Sequence, residues 1–405
     1  MRKKLALIAS LVAIVIIIAY RTTSLKDTLP ASPASQSSTK ASSNINELGL
    51  KIPDGFSIAI FAKEQDNARD LEFSPEGILL ASLPAQGKIV ALPDNDRNGK
   101  ADQAKNILTG LDRPHGIAFF DGKLFVAEET KIARYNWDSR NLSASLDKFL
   151  FELPKGGRHV TRTIAFNKNG QMFVSIGSTC DVCFEDSPWL ASVIISDYEG
   201  NNPRLFAKGL RNSVFITVNP TTGELWGTEM GRDFLGDNLP PDEVNIIREG
   251  DYGWPLCYGN QVHDTDFDKK VYIQVIPQPP CGETEPPVFE IAAHSAPLGL
   301  TFVNSPQFPQ DWQGDLLVAY HGSWNRSTPI GYKVVRLNVS GNSVTQEEDF
   351  LSGFLPVGAT GPASATGRPV DLVFDQDGNL YISDDKAGVI YVLQSKRQGS
   401  YRIWR

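Results

Sequence analysis

Residues 161–177, TRTIAFNKNGQMFVSIG, decide the fold. A short apolar run leads into an Asn-Lys-Asn-Gly turn, and a second apolar run returns from it. Alternation of period two about such a turn specifies a β-hairpin rather than a helix. The pattern recurs as ARDLEFSPEGILLAS from Ala68, PHGIAFFDGKLFVAE from Pro114 and SVFITVNPTTGELWGTE from Ser213. It returns twice more, as LGLTFVNSPQFPQDWQGDLLVAY from Leu298 and PVDLVFDQDGNLYISDD from Pro369. The anchor positions Phe73, Phe119, Phe166, Val218, Phe302 and Phe374 are spaced 46, 47, 52, 84 and 72 residues apart. A unit of roughly 40–50 residues is the period of a propeller, each blade being a four-stranded sheet. The predicted fold is all-β, a six-bladed β-propeller over residues 47–398. The two wide spacings leave room for inserted loops, one of them holding Cys257 and Cys281.

Outward from the repeats, the N-terminus reads differently. Arg2, Lys3 and Lys4 precede an apolar run at residues 5–20, and Arg21 closes it. Residues 1–21 are therefore a signal anchor or signal peptide, read here as a membrane-anchor helix whose positive flank stays in the cytoplasm. Residues 22–46 are rich in Ser, Thr and Pro and too poor in apolar side chains to fold, so they form a flexible linker. The expected location is the periplasmic or extracellular face, tethered to the cytoplasmic membrane, or secreted if the signal is cleaved. The 405-residue chain is 41% hydrophobic and 21% charged, as globular proteins are. Its net charge of −8 divides into +5 over residues 1–46 and −13 over the remainder. An acidic body repels phosphate backbones and disfavours nucleic acid as a partner.

The four cysteines fit export. Cys180 and Cys183 form a CxxC, but Cys257 and Cys281 are too far apart to supply the second half of a zinc site. Two disulfides, 180–183 and 257–281, are expected.

Three constellations carry chemistry. In PDNDRNGKAD at residues 93–102, Asp94, Asp96, Asn98, Lys100 and Asp102 form a candidate metal loop. Oxygens at alternating positions suit calcium in a stabilising role, and an Asx-rich turn is the alternative. Second, His159 immediately precedes a blade's inner strand, where it could project into the channel as a general base. His115 and His294 hold equivalent places, so a three-histidine metal site is a further possibility. Third, Arg69, Arg113, Arg211 and Arg368 share this register, with Arg326 in HGSWNR, and together suggest a cationic mouth for a small carboxylate-bearing ligand.

Five segments are familiar as a set: GGRHVTRTIAFNKNGQMFVSIGSTCDVC, GLRNSVFITVNPTTGELWGTEMGRD, DEVNIIREGDYGWPLCYG, LLVAYHGSWNRS and GRPVDLVFDQDGNLYISDD. Over about residues 50–395 the chain resembles the sugar dehydrogenases that depend on pyrroloquinoline quinone (PQQ), the sorbosone and pyranose dehydrogenase-like propellers, with soluble quinoprotein glucose dehydrogenase more distant. The resemblance implies PQQ and calcium over the channel. It makes His159 the base that takes a sugar hydroxyl proton as hydride passes to the quinone. It assigns Arg211, Asn212 and Arg368 to PQQ, with Arg69 and Arg326 completing the arginine set. The carbonyls of Gly231 and Arg232 would bind the calcium. Two departures follow: Arg158 stands where glucose dehydrogenase has an acid before the base histidine, and that enzyme's cofactor lysine is replaced by the HGSWNR segment.

The expected function is an exported PQQ-dependent dehydrogenase for an aldose, aldosulose or related sugar, passing electrons to a quinone or cytochrome acceptor. The alternative is a cofactor-free propeller that binds a glycan or a protein partner. A calcium-dependent lactonase would need a trio such as Glu229, Asn212 and Asp371 to converge.

Overall fold

A computed structural model describes residues 43–271 and 281–396. The N-terminal anchor and nearly all of the linker lie outside the described residues. Among the described residues no helix is long and apolar enough to cross a membrane.

Six four-stranded antiparallel blades form the ring. Blade 1 runs from Leu71–Phe73 through Leu79–Leu83 and Lys88–Leu92 to Lys105–Thr109. Blades 2 to 5 begin at Ile117–Phe120, Arg162–Phe166, Ile216–Val218 and Pro297–Phe302 in the same manner. Blade 6 begins at Pro369–Phe374, and its outermost strand is Phe56–Ala62, from the other end of the domain. That pairing, with Ile58 opposite Leu393, closes the ring. The anchor residues read from the repeat end, or nearly end, the six innermost strands, so the period had located the start of each blade.

The second strand of each blade is almost continuously buried because both its faces are covered by neighbouring blades. Leu79–Leu83 and Leu316–Tyr320 are buried at every residue. Among the described residues the core divides into six apolar clusters, one in each interface between adjacent blades. Polar side chains stitch the inner strands. Asp371 accepts from the Leu71 amide, Asp70 from the Ile117 amide, and Thr163 donates to the Val214 carbonyl.

The first wide spacing is the insertion between Asp242–Ile247 and Phe289–Ile291 of blade 4. It adds a parallel strand, Gly250–Asp251, to blade 3 and carries the short helix Thr265–Val271. Both expected disulfides form, Cys180–Cys183 and Cys257–Cys281.

Candidate active site

Each innermost strand is entered from the same face of the ring, so the residues just before it gather there. Arg69, His115, His159, Asn212, His294 and Arg368 all occupy such positions. The loops between second and third strands reach the same face. They are short in blades 1, 2 and 6 but long in blades 3, 4 and 5, at residues 177–191, 230–241 and 321–332. The mouth is therefore built asymmetrically over three blades.

A cavity of about 170 Å³ lies beneath these loops, lined by His159, Arg211, Asn212, Asp242, His294 and Trp324 among others. His159 Nδ1 is 3.1 Å from the Ser178 carbonyl and 2.9 Å from Ser178 Oγ. A carbonyl only accepts, and the Ser178 hydroxyl already donates to the Cys180 carbonyl at 2.6 Å. Nδ1 therefore carries the proton, and Nε2 keeps the lone pair that a general base requires. Ser178 thus fixes the orientation of the His159 ring. Gly177 makes room for this: a Cβ there would lie 2.6 Å from His159 Cβ and 2.9 Å from Asn212 Oδ1. Burial, then the charges of Arg211 and Arg158, pull the His159 pKa down to about 3, so the imidazole is neutral at physiological pH.

Arg211 is almost fully buried. Its Nε donates to the Asp181 carbonyl and Nη2 to Asp181 Oδ1, both at 2.8 Å, while Nη1 donates to the Met230 carbonyl. Asn212 and Ser213 are fixed by Glu229, which accepts from the Asn212 amide and the Ser213 hydroxyl. Burial pushes the Glu229 carboxyl up to about 8. Asp242 accepts from the Gly231 and Ala296 amides, and burial raises it to about 7. Gly231 also lines the cavity, and the carbonyls of Gly231 and Arg232 accept no hydrogen bond among the described residues. The Arg232 side chain turns away to Asp264.

The other expected arginines are engaged elsewhere. Arg69 pairs with Asp385 and Arg113 with Glu129; Arg158, which is not one of them, lines the cavity and pairs with Asp233 there. Arg368 donates to the carbonyls of His321 and Gly322. Arg326 donates to the Asp237 and Ala293 carbonyls and to Asn238. The open cationic mouth read from the sequence is thus an array of arginines held by acids and carbonyls. His159 and His294 share the cavity, whereas buried His115 meets Thr163 and Phe215. Among the described residues no metal-type cluster of three histidines occurs. The lactonase trio does not converge either: Asp371 faces Asp70 in the channel, while Asn212 and Glu229 sit at the mouth.

The loop at residues 93–102 joins the two outer strands of blade 1 on the opposite face. Asp94, Asp96 and Asp102 bring carboxylate oxygens within 4.8 Å of one another. Asp94 also accepts from the amides of Asn98 and Gly99, and Asp102 from Asn95. Lys100 points to a separate groove beside Phe56–Ala62.

Sequence reasoning missed Ser178, Asp181, Asp233, Asp242 and Trp324. Asp242 opens the DEVN motif and Trp324 lies within HGSWNR, so both were marked without a role. Ser178 and Asp181 likewise fall within the quoted segment that ends at Cys183, and Asp233 closes the one that ends in TEMGRD, none of them with a role.

The TrAA12-like family matches residues 50–396 of the chain. An uncharacterised protein of Borreliella burgdorferi is 31% identical, over 84% of this chain and 90% of its own. The pyrroloquinoline quinone-dependent pyranose dehydrogenase of Coprinopsis cinerea is 24% identical over 85% of this chain. The match covers 54% of that relative, so the chain spans about half its length. The holo form of the pyranose dehydrogenase PQQ domain from Coprinopsis cinerea has a TM-score of 0.72 at 22% identity, covering 85% of this chain and 97% of that domain. That likeness is one of fold.

Proposed function

The chain belongs to the TrAA12-like family, which matches residues 50–396, and from that membership we propose a PQQ-dependent dehydrogenase that oxidises an aldose, an aldosulose of the sorbosone type or a related sugar. The observation that carries the reading is His159, held as the Nδ1–H tautomer beside Arg211 and Asn212 in one cavity.

The cavity suits a carboxylate-bearing quinone. Asp181 takes the side edge of the Arg211 guanidinium, so a ligand carboxylate would meet its terminal nitrogens, beside the Met230 carbonyl and Asp233 and with Asn212 alongside. Arg368, Arg69 and Arg326 stand further round the mouth on the same face. The unengaged carbonyls of Gly231 and Arg232 are hard oxygen donors suited to calcium. When bound, PQQ supplies the electrophilic carbonyl carbon that accepts hydride. His159 Nε2 takes the proton of the substrate hydroxyl, and Ser178 keeps the ring facing it in the right tautomer. Anionic carboxylates on Arg211 offset the charge that depresses His159, so the base strengthens in the loaded site.

We further propose export, because two disulfides suit an oxidising compartment. Electrons then pass to a quinone or cytochrome acceptor. The arginine–acid pairing also favours a second reading, a propeller that binds a glycan or protein without cofactor.

Spectral titration of the purified protein with PQQ and calcium separates the two. Saturable binding, with sugar-dependent reduction of a dye, is expected. His159→Gln should keep PQQ affinity and lower kcat by 10²-fold or more, as for removal of a general base (about 10²–10⁴). Absence of saturable PQQ binding would leave only the binding propeller.

A further inference from the structure

The loop closed by Cys180–Cys183 hangs over the mouth of blade 3, between its second and third strands. One of its residues, Asp181, is the shared acceptor of three chain segments. Its Oδ1 accepts from Arg211 Nη2 and from the Asp233 backbone amide, each at 2.8 Å. Its carbonyl accepts from Arg211 Nε at 2.8 Å and from the Trp254 indole at 3.3 Å. Arg158 completes the group, 4.0 Å from the same carboxylate oxygen and 2.7 Å from Asp233. Asp181 therefore ties the loop before the inner strand of blade 4, the second mouth loop of that blade and the insertion to one residue.

We propose that Asp181 is a positioning residue, which fixes the Arg211 guanidinium so that its end, rather than its side, meets the ligand. The proposal rests on the reading of Arg211 as a PQQ contact. Its physical basis is the geometry of the guanidinium. A carboxylate ligand can approach either the side edge, formed by Nε and Nη2, or the end, formed by the two terminal nitrogens. Asp181 fills the side edge with its carbonyl and Oδ1, and the Met230 carbonyl holds Nη1. With the side edge filled, a ligand can meet Arg211 only at the terminal nitrogens, in an orientation set by the protein, beside the Met230 carbonyl on Nη1 and Asp233 Oδ2, which stands 3.9 Å from Nη2. An arginine this buried, at 4% side-chain exposure, does not swing to seek a ligand. The enclosing disulfide adds to this by confining Asp181 within a three-residue span. The same loop supplies Ser178 to His159, so a single short element aligns both the base and the arginine.

Two measurements on the full chain test the assignment. Phenylglyoxal modification of the apo-protein, mapped by peptide mass spectrometry, reads Arg211 mobility without PQQ. In Asp181→Ala, Arg211 should react about tenfold faster, while Arg336, paired with Asp315 and Glu348 in blade 5, should not change. PQQ affinity by spectral titration should fall about tenfold in the same variant. Asp181→Asn keeps an acceptor without the charge, so it should lie between wild type and Asp181→Ala on both scales. If Asp181→Ala does not fold, Asp181→Asn alone decides, by the same two readouts. Equal Arg211 protection in the variants, or faster modification with unaltered PQQ affinity, overturns the proposal. If wild type itself binds no PQQ, the dehydrogenase reading fails and the modification rate alone judges whether Asp181 fixes Arg211.

Discussion

At the scale of single residues, the proposed chemistry rests on an imidazole kept neutral by its surroundings. Burial lowers the His159 pKa first, and the cations Arg211 and Arg158 lower it further. The two arginines are not equivalent. Arg211 is buried and serves the proposed cofactor, whereas the Arg158 side chain is 40% exposed and pairs with Asp233 and Asp181. Removing the Arg158 charge takes away a positive neighbour, which favours imidazolium and raises the His159 pKa. Arg158→Gln should therefore move the acid limb of the kcat/KM profile to higher pH by about half a unit, since solvent screens a partly exposed charge. The pH–rate profile of the PQQ-loaded enzyme checks this, and a shift to lower pH would contradict the assignment of His159 as the base.

At the scale of elements, the ring is closed by one strand. Phe56–Ala62 completes blade 6 from the opposite end of the domain, and Phe61 packs into the interface of blades 6 and 1 with Tyr381, Ile390, Val90 and Leu92. Its ring lies edge-on to Tyr381 at 4.9 Å. Phe61→Ala opens a cavity at this seam and should cost about 3–5 kcal/mol, measured as a lower denaturant midpoint with the slope unchanged. Ile60 is only partly buried, so Ile60→Ala should cost clearly less. The contrast between strand and loop explains what could be read beforehand. The inner hairpin of each blade announces itself because its second strand is covered on both faces, so Phe73 through Phe374 marked all six. Outermost strands such as Ser143–Glu152 are largely exposed and carry no such signal. The His159, Arg211 and Asn212 positions were also legible, since they precede an inner strand. Their partners were not. Ser178 lies 19 residues from His159, Asp181 30 from Arg211 and Asp233 75 from Arg158, and only the folded ring brings these pairs together. The arginines were legible as arginines, but the acids that hold them come from distant loops.

At the scale of the whole molecule, the channel carries a charge problem that the mouth does not. Asp70 and Asp371 face one another between blades 1 and 6, both buried, with Glu72 nearby in the same channel. Burial, and then the proximity of Asp371, hold the Asp70 carboxyl well above the usual carboxylate range. Burial likewise raises Asp371. A carboxyl raised in the folded state favours folding at pH values below its unfolded pKa of about 4, and this benefit is lost as pH climbs through the folded value. Glu229 and Asp242, at about 8 and 7, act in the same direction. The buried histidines act oppositely: His159 and His321, lowered to about 3 and 4, favour the folded state above about pH 6.5 and lose that contribution as pH falls. Opposed windows of this kind place the stability maximum in mildly acidic solution, with a decline toward pH 8 driven by the carboxyls. Asp70→Asn isolates the channel's part in that decline. The amide oxygen can still accept from the Ile117 amide, so the stitch between blades 1 and 2 survives while the raised carboxyl facing Asp371 is replaced by a group that does not titrate. The variant should melt at a higher temperature than wild type at pH 8, with a smaller difference at pH 4, since the cost of ionising a raised carboxyl grows with pH. Thermal scans at the two pH values measure the difference, and an equal shift at both would show that Asp70 acts through packing rather than charge.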